Sequence, residues 1–233
     1  MKLALLGHGA MGLLVEEQAR AAGHEIGLVV TSGDASRAAA DLAEALRGHD
    51  AAIDFSVARA VLRNVQACAR AHVPLVEGTT GWNDQLEDAR RTVAEQDGAL
   101  VYGANFSVGV NVFYRVVARA AEFFAAVGAY EPFVEEAHHS RKRDAPSGTA
   151  LKLKELLAAR LPDQNISVAS TRAGHIPGTH RVGFDSAADQ VTLTHTARSR
   201  AGFAAGALLA ARWIQGRRGV YEFSEVLDEI LRG

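Results

Sequence analysis

Cysteine is almost absent from this chain: Cys68 stands alone among 233 residues. No disulfide forms within the chain, and no CxxC pair exists for metal or redox work. That fits a reducing compartment. Cys68 falls in a helical pattern with Val61 and Val65, so it reads as a small buried residue rather than a reactive thiol. An excess of one charge is lacking too. The net charge is -2, and so weak a balance draws neither nucleic acid nor an anionic membrane over a broad field. Long hydrophobic runs are missing as well. The apolar start, Leu3 to Leu6, is stopped by Gly7, His8 and Gly9, too soon for a signal-peptide core or a membrane span. No low-complexity tract and no solenoid-period repeat occurs. The remaining composition, 48% apolar and 22% charged, is that of an ordinary globular protein. A cytoplasmic protein without nucleic-acid or membrane partners is expected.

The first hundred residues alternate between two kinds of segment. Short apolar runs at Leu3–Leu6, Ile26–Val30, Ala51–Phe55, Pro74–Glu77 and Ala99–Tyr102 read as buried parallel strands. Between them lie helical patterns: Met11–Ala22 closed by Gly23, Ser36–Arg47 closed by Gly48, Ala58–His72 and Asp84–Glu95. Strand and helix repeated this way predict a parallel sheet with helices on both sides. Such sheets bind ligands at the C-terminal ends of their strands. After Asn105 the pattern changes. A long helix is expected over Val108–Val127, a strand over Tyr130–Glu136, then a polar loop from His138 to Ser147. A helix over Thr149–Arg160 and strands at Ile166–Thr171, Arg181–Asp185 and Gln190–His195 follow. Gln190–Thr196 alternates apolar and polar residues, the mark of a half-exposed strand. This points to a mixed or antiparallel sheet with helices on one face. Ala201–Gln215 and Phe223–Leu231 are helical again. No linker rich in Pro, Gly or Ser separates the parts, so closely hinged domains are expected.

Gly7-His8-Gly9-Ala10-Met11-Gly12 is a GxGxxG between a strand and a helix, the context that gives the pattern meaning. Gly7 allows the tight turn, Gly9 clears room for a pyrophosphate, and Gly12 lets helix and strand approach closely. The helix start then offers free N–H groups and a partial positive charge. A plain tight turn is the competing reading. No acid stands at the tip of the second strand, where NAD-specific proteins hold the ribose hydroxyl. Thr31 and Ser32 can instead hydrogen-bond a 2′-phosphate and Arg37 can neutralise it, while Asp34 can swing in against a ribose hydroxyl. NADPH, or use of both NADPH and NADH, is therefore expected. Glu77 to Trp82 and Gly103 to Ser107 follow the fourth and fifth strands, where a nicotinamide would lie; ordinary connecting loops are the alternative.

The densest polar cluster runs from Glu135 to Thr149. It holds His138, His139, Arg141, Lys142 and Arg143 ahead of a Pro146-Ser147-Gly148-Thr149 helix start. Ser147 or Thr149 can cap that helix, and its open N–H groups form an anion site suited to a carboxylate. His138, His139 and Lys142 can grip an anionic substrate and deliver a proton. A solvated surface loop competes with this reading. Metal binding is not expected, because three cations repel an ion and no ligand spacing such as HExxH appears. Nucleic-acid binding is disfavoured by the lack of interleaved aromatics. Of the scattered histidines His180 is the strongest candidate, in a polar loop before a strand. Arg200 is a further candidate anion contact.

Gly78-Thr79-Thr80-Gly81, Asn105-Phe106-Ser107-Val108-Gly109-Val110-Asn111, and above all Glu136-Ala137-His138-His139 with Lys142, Asp144 and Ala145 to Ala150 resemble the motifs of the dihydrodipicolinate reductase family. The likeness spans nearly the whole chain in the right order. It implies an α/β fold: a Rossmann-like parallel-sheet domain over 1–107 with 201–233, and an α+β substrate and oligomerisation domain over 108–200 with a mixed open sheet. It implies NAD(P)H-dependent reduction of 4-hydroxy-tetrahydrodipicolinate, a step of lysine and diaminopimelate synthesis. His138 would be the acid/base residue and Lys142 would supply a proton. His139 would contact the substrate, and the backbone of Gly148 and Thr149 would hold a carboxylate. Gly7 to Gly12, Gly78 to Thr80 and Gly103 to Phe106, including Ala104 and Asn105, would hold the dinucleotide. The resemblance also implies a homotetramer built through the second domain. The chain is shorter than common members around Ser32–Ala51 and Thr171–Gly183. Two competing readings remain: another Rossmann dehydrogenase of amino acids, and a non-enzymatic dinucleotide sensor. The His-His-x-x-Lys run with its Pro-Ser-Gly-Thr continuation speaks against the first, and intact His138 and Lys142 against the second.

Overall fold

The computed structural model of the chain describes residues 1–34 and 37–232. It divides into two compact units, Met1–Val108 with Arg200–Gly233, and Gly109–Ser199.

The first unit carries a parallel sheet. Its strands β1 (Lys2–Leu6), β2 (Glu25–Val30), β3 (Ala51–Asp54), β4 (Leu75–Glu77) and β5 (Ala99–Tyr102) lie within a residue of the expected apolar runs. The helices are α1 (Ala10–Ala21), α2 (Ala39–Leu46), α3 (Ala58–Ala71), α4 (Leu86–Glu95), α7 (Ala201–Trp213) and α8 (Phe223–Arg232). The expected start of the second helix, Ser36, lies outside the described residues. A further strand, β10 (Gly219–Glu222), pairs parallel with β5 where only a connection was expected. The strand order is β10-β5-β4-β3-β1-β2. Alternation along β1 shows why the runs are continuously apolar. Leu3 and Leu5 face one core with α1, α7 and α8, and Ala4 and Leu6 face the other with α2, α3 and α4. A strand buried on both faces has no polar side to show. Cys68 sits in the second core at 1% exposure, and burial pushes its thiol well above the ordinary range. It is a packing residue.

The order reverses at β1: β2 follows on one side and β3 on the other. That reversal opens a crevice beyond the C-terminal ends of β1 and β3, the place where such sheets seat ligands.

The second unit holds α5 (Val108–Val127), β6 (Glu131–His138), α6 (Gly148–Ala158), β7 (Ser167–Arg172), β8 (Thr179–Asp185) and β9 (Gln190–Thr196). Its sheet runs β7-β6-β8-β9. β6 and β7 are parallel and the other pairs antiparallel, so the sheet is mixed, as expected. Val134, Val182 and Phe184 point to one face and pack on Phe113 and Val117 of α5 and Leu153 and Leu157 of α6. The opposite face carries Glu135, Arg181 and Thr194 in register across three strands. One expectation needs correction. The loop thought to begin at His138 begins after it, because pairing continues through Ala137↔Thr179 and His138↔Arg172. His138 is therefore a strand residue, and the two-residue period puts it on the same face as Glu136 and Val134.

Candidate active site

In the first unit the glycine turn follows β1. Gly7 adopts φ +93°, and a Cβ there would lie 2.6 Å from the Phe55 carbonyl oxygen. A Cβ on Gly12 would lie 2.2 Å from the Gly7 oxygen. Both positions need glycine for close backbone approach. Gly9 is different: a Cβ there would meet nothing within 4 Å. Gly9 is also the N-cap of α1 and offers no side-chain cap. The first N–H groups of α1, beside exposed Ala10 and half-buried Met11, thus have no intrahelical partner and no side-chain cap. That is the arrangement an anion needs. His8 is turned back onto α1, with Nε2 2.6 Å from Glu16 Oε2.

A cavity of about 590 Å³ opens beside this turn, lined by Gly7 to Gly9, Thr31, Ser32, Phe55 to Val57, Arg59 and Arg63. Its size suits a small-molecule ligand. Asp34 is occupied within its own turn. Its Oδ2 accepts from Thr31 N at 2.9 Å and Thr31 Oγ1 at 3.2 Å, and these bonds hold its carboxyl below the usual range. Arg37 is not among the lining residues; the cations at the cavity are Arg59 and Arg63 of α3. Sequence alone does not reveal them, since arginines four apart on a helix read as a solvated face.

The other expected cofactor residues lie at the adjacent ends of β4 and β5. Thr79 N donates to Glu77 Oε1 at 2.7 Å, and Ser56 N donates to Asp54 Oδ1 at 2.7 Å. Thr80 and Ala104 are exposed. A Cβ on Gly78 would strike the Phe55 ring at 2.2 Å, and one on Gly103 would lie 3.0 Å from Phe223 Cβ. Asn105 Oδ1 accepts from Ser107 N. Phe106 is 1% exposed, with its ring 4.6 Å from that of Phe223.

In the second unit the fold assembles a network that no single segment shows. Glu136 pairs directly with His180 across β6 and β8, and His138 stands two residues along the same face. His138 Nε2 lies 3.3 Å from Glu136 Oε2 and 3.3 Å from His180 Nε2. Glu136 is 3% exposed. Its Oε1 accepts from Arg172 Nη2 at 2.7 Å, Ser170 Oγ at 2.7 Å and Ser147 N at 3.0 Å. Burial alone would raise the Glu136 carboxyl; bonds from Ser147, Arg172 and Ser170 outweigh it and hold the carboxyl at about 2. Burial lowers His138, with Lys142 and Arg172 also acting downward against Glu136. Burial and the neighbouring His138 bring His180 down to about 4. Both rings are therefore biased toward the neutral form.

Ser147 caps α6: its Oγ accepts from Ala150 N at 3.2 Å. Gly148 and Thr149 form the first turn, where N–H groups have no partner inside the helix. The Tyr114 phenol is raised by burial, with Thr149 acting against that shift. Lys142 Nζ is paired with Asp144 at 2.8 Å. His139 is half-buried, and its Nδ1 has no partner. Arg200, in the first unit, is exposed at the N-cap of α7. Glu136, His138 and His180 bring one potential ligand atom each within 4.8 Å. Arg172 on Glu136, with Lys142 nearby, opposes a cation there, and His180 Nδ1 is buried without the outer-shell hydrogen bond that metal-bound histidines usually make.

A family model described as dihydrodipicolinate reductase, N-terminus, matches residues 1–106, and one described as its C-terminus matches residues 109–227. A 4-hydroxy-tetrahydrodipicolinate reductase of Christiangramia forsetii is 35% identical over 243 residues, covering 100% of both chains. One of Anaeromyxobacter dehalogenans is 41% identical over 215 residues, 83% of this chain and 77% of its own. Among solved structures, a dipicolinate-bound dihydrodipicolinate reductase from Paenisporosarcina sp. TG-14 superposes with a TM-score of 0.80 at 19% identity, covering 97% of this chain and 99% of its own.

Proposed function

The chain belongs to the dihydrodipicolinate reductase family, and on that premise we propose that it reduces 4-hydroxy-tetrahydrodipicolinate to tetrahydrodipicolinate in cytoplasmic lysine and diaminopimelate synthesis. One NAD(P)H and one proton are consumed, and NAD(P)+ and water are released. The observation that carries this reading is in the second unit: His138 and Lys142 lie in the same segment as the open start of α6. A dianionic ring needs both, one to neutralise developing charge and one to seat a carboxylate.

In the first unit, the uncapped start of α1 and the clearance at Gly9 fit a pyrophosphate. Gly7 to Gly12 hold the dinucleotide, with Gly78 to Thr80 and the Gly103–Phe106 main chain at its nicotinamide end. A bound nicotinamide supplies the hydride. Gly148 and Thr149 N–H groups fix one substrate carboxylate, and His139 contacts the ring. Loss of the 4-hydroxyl as water would leave a conjugated ring, and hydride addition to that ring would leave electron density on it. Lys142 gives it a proton once substrate displaces the Asp144 contact, with His138 as the acid/base residue beside it. Thr31 and Ser32 are exposed hydrogen-bonding groups at a cavity with two arginines, which favours NADPH; the ratio of kcat/KM for NADPH and NADH measures the preference. The polar open face of the second sheet suits a homotetramer, checked by sedimentation for a species of four 24.7 kDa chains.

The direct test follows loss of NADPH absorbance with enzymatically generated substrate. His138→Gln and Lys142→Ala are each expected to lower kcat about 10²- to 10³-fold, with NADPH binding kept. Unchanged turnover in both variants would overturn the assignment.

A further inference from the structure

His180 takes no part in the mechanism above, yet it is the most enclosed ring of the second unit's network, at 5% exposure. One of its nitrogens serves two neighbours. Nε2 lies 3.1 Å from Ser147 Oγ and 3.3 Å from His138 Nε2. The other, Nδ1, is buried without a partner. A neutral imidazole nitrogen carries either a hydrogen or a lone pair. If His180 Nε2 carries the hydrogen, it donates to Ser147 or to His138. If it carries the lone pair, it accepts from one of them. Two N–H groups cannot face each other at that distance. Whatever Ser147 demands of His180 therefore limits what His138 receives.

Ser147 is in turn fixed at the anion seat. Its Oγ accepts from Ala150 N, and its own N–H donates to Glu136 Oε1 at 3.0 Å. Gly148 and Thr149, the proposed carboxylate holders, are the next two residues. A continuous line of contacts thus runs from the start of α6 through Ser147 and His180 to His138. We propose that His180 is a positioning residue, which transmits occupancy of the α6 anion seat to the hydrogen bonding of His138. This inference rests on the roles given above to His138 and α6.

The charged and titratable groups around the pair are known. Glu136, Lys142, Arg172 and Asp144 act on His138, and His138, Glu136, His195 and Lys142 act on His180. A dicarboxylate would also raise His138 by direct Coulomb attraction, so the test must separate the two routes. Ring-nitrogen NMR of histidine-labelled full chain, with the His138 signal assigned through His138→Gln, reads its titration midpoint with and without saturating dipicolinate. In the unsubstituted protein the midpoint is expected to rise by at least about half a pH unit. In His180→Gln and in Ser147→Ala the rise is expected to fall below half of that value, and in Ser147→Thr to be restored. Ser147→Ala breaks the line without altering either ring, so the test survives if His180→Gln fails to fold. An equal rise in both broken variants would overturn the positioning role and leave the proposed function standing. No binding of dipicolinate to the unsubstituted protein would overturn the anion seat itself, and this inference with it. In turnover, His180→Gln is expected to lower kcat about tenfold while KM for NADPH holds.

Discussion

Two buried glutamates, one in each unit, sit beside the loops proposed to hold ligands, and their surroundings push them in opposite directions. Glu136 is 3% exposed and Glu77 0% exposed. Glu136 receives Arg172, Ser170 and a backbone N–H on one oxygen, and its carboxyl is held at about 2. Glu77 receives one backbone N–H, from Thr79, and stands directly opposite Asp54 across β3 and β4. Burial and the Asp54 carboxyl raise it well above the ordinary range. Both residues are shielded from solvent, but Glu77 lies deeper, so burial and the Asp54 carboxyl together raise it, while the donors around Glu136 outweigh its burial. The second unit holds its carboxyl down under its histidines, and the first pushes its carboxyl up beside its glycine loop.

The largest effect expected from disturbing this contrast is at Arg172. Removing it by Arg172→Ala leaves Glu136 buried with neutral donors only, a loss of about 3 kcal/mol, read as a lower denaturant midpoint. A loss under about 1 kcal/mol would mean the neutral donors suffice. Ser170→Ala sharpens the point with a smaller change of about 1 kcal/mol. The folded carboxyl of Glu136 is depressed below its unfolded value. Its stabilisation is present above about pH 4.5 and is lost as pH falls toward about 2. Ser170→Ala narrows that window, so acid unfolding should begin at higher pH in the variant. Identical acid transitions would show that Ser170 does not hold the charge.

The contrast also marks where sequence reading reaches and where it stops. The five apolar strands of the first unit were legible because burial on both faces leaves unbroken runs such as Leu3–Leu6. β10 escaped because Gly219–Glu222 is short, follows Arg217 and Arg218, and runs straight into α8. His138 looked like a loop residue because its polar neighbours hid the strand period. Its kinship with Glu136 was readable from their spacing of two. The remaining partners depend on register. His180 lies 42 residues from His138, and Arg172 lies 36 from Glu136. No local pattern announces such pairings. Glu77 and Asp54 were each visible at a strand end, but their opposition exists only because β3 and β4 pair in parallel. Arg59 and Arg63 became cavity cations only once α3 was placed beside the β1 turn.

The smallest expected effect is the most discriminating. Glu77→Gln keeps shape and volume: the amide oxygen can accept from Thr79 N as Glu77 Oε1 does at 2.7 Å, and the NH₂ can take the place of the carboxyl proton facing Asp54. Near pH 5.5 the variant should match the unsubstituted protein within about 1 kcal/mol. The sign at higher pH follows from linkage. Because the folded carboxyl is raised, the native state holds a proton that the unfolded chain has released above about pH 4.5. That contribution shrinks as pH rises toward the folded value, and Gln has none to lose. The melting temperature of the variant relative to the unsubstituted protein should therefore climb from about pH 5.5 to about pH 8. Taking this difference cancels the buried histidines, which titrate in both proteins alike. A difference that stays flat, or turns against Gln, would mean that Glu77 is ionised in the fold and that the two glutamates are alike after all.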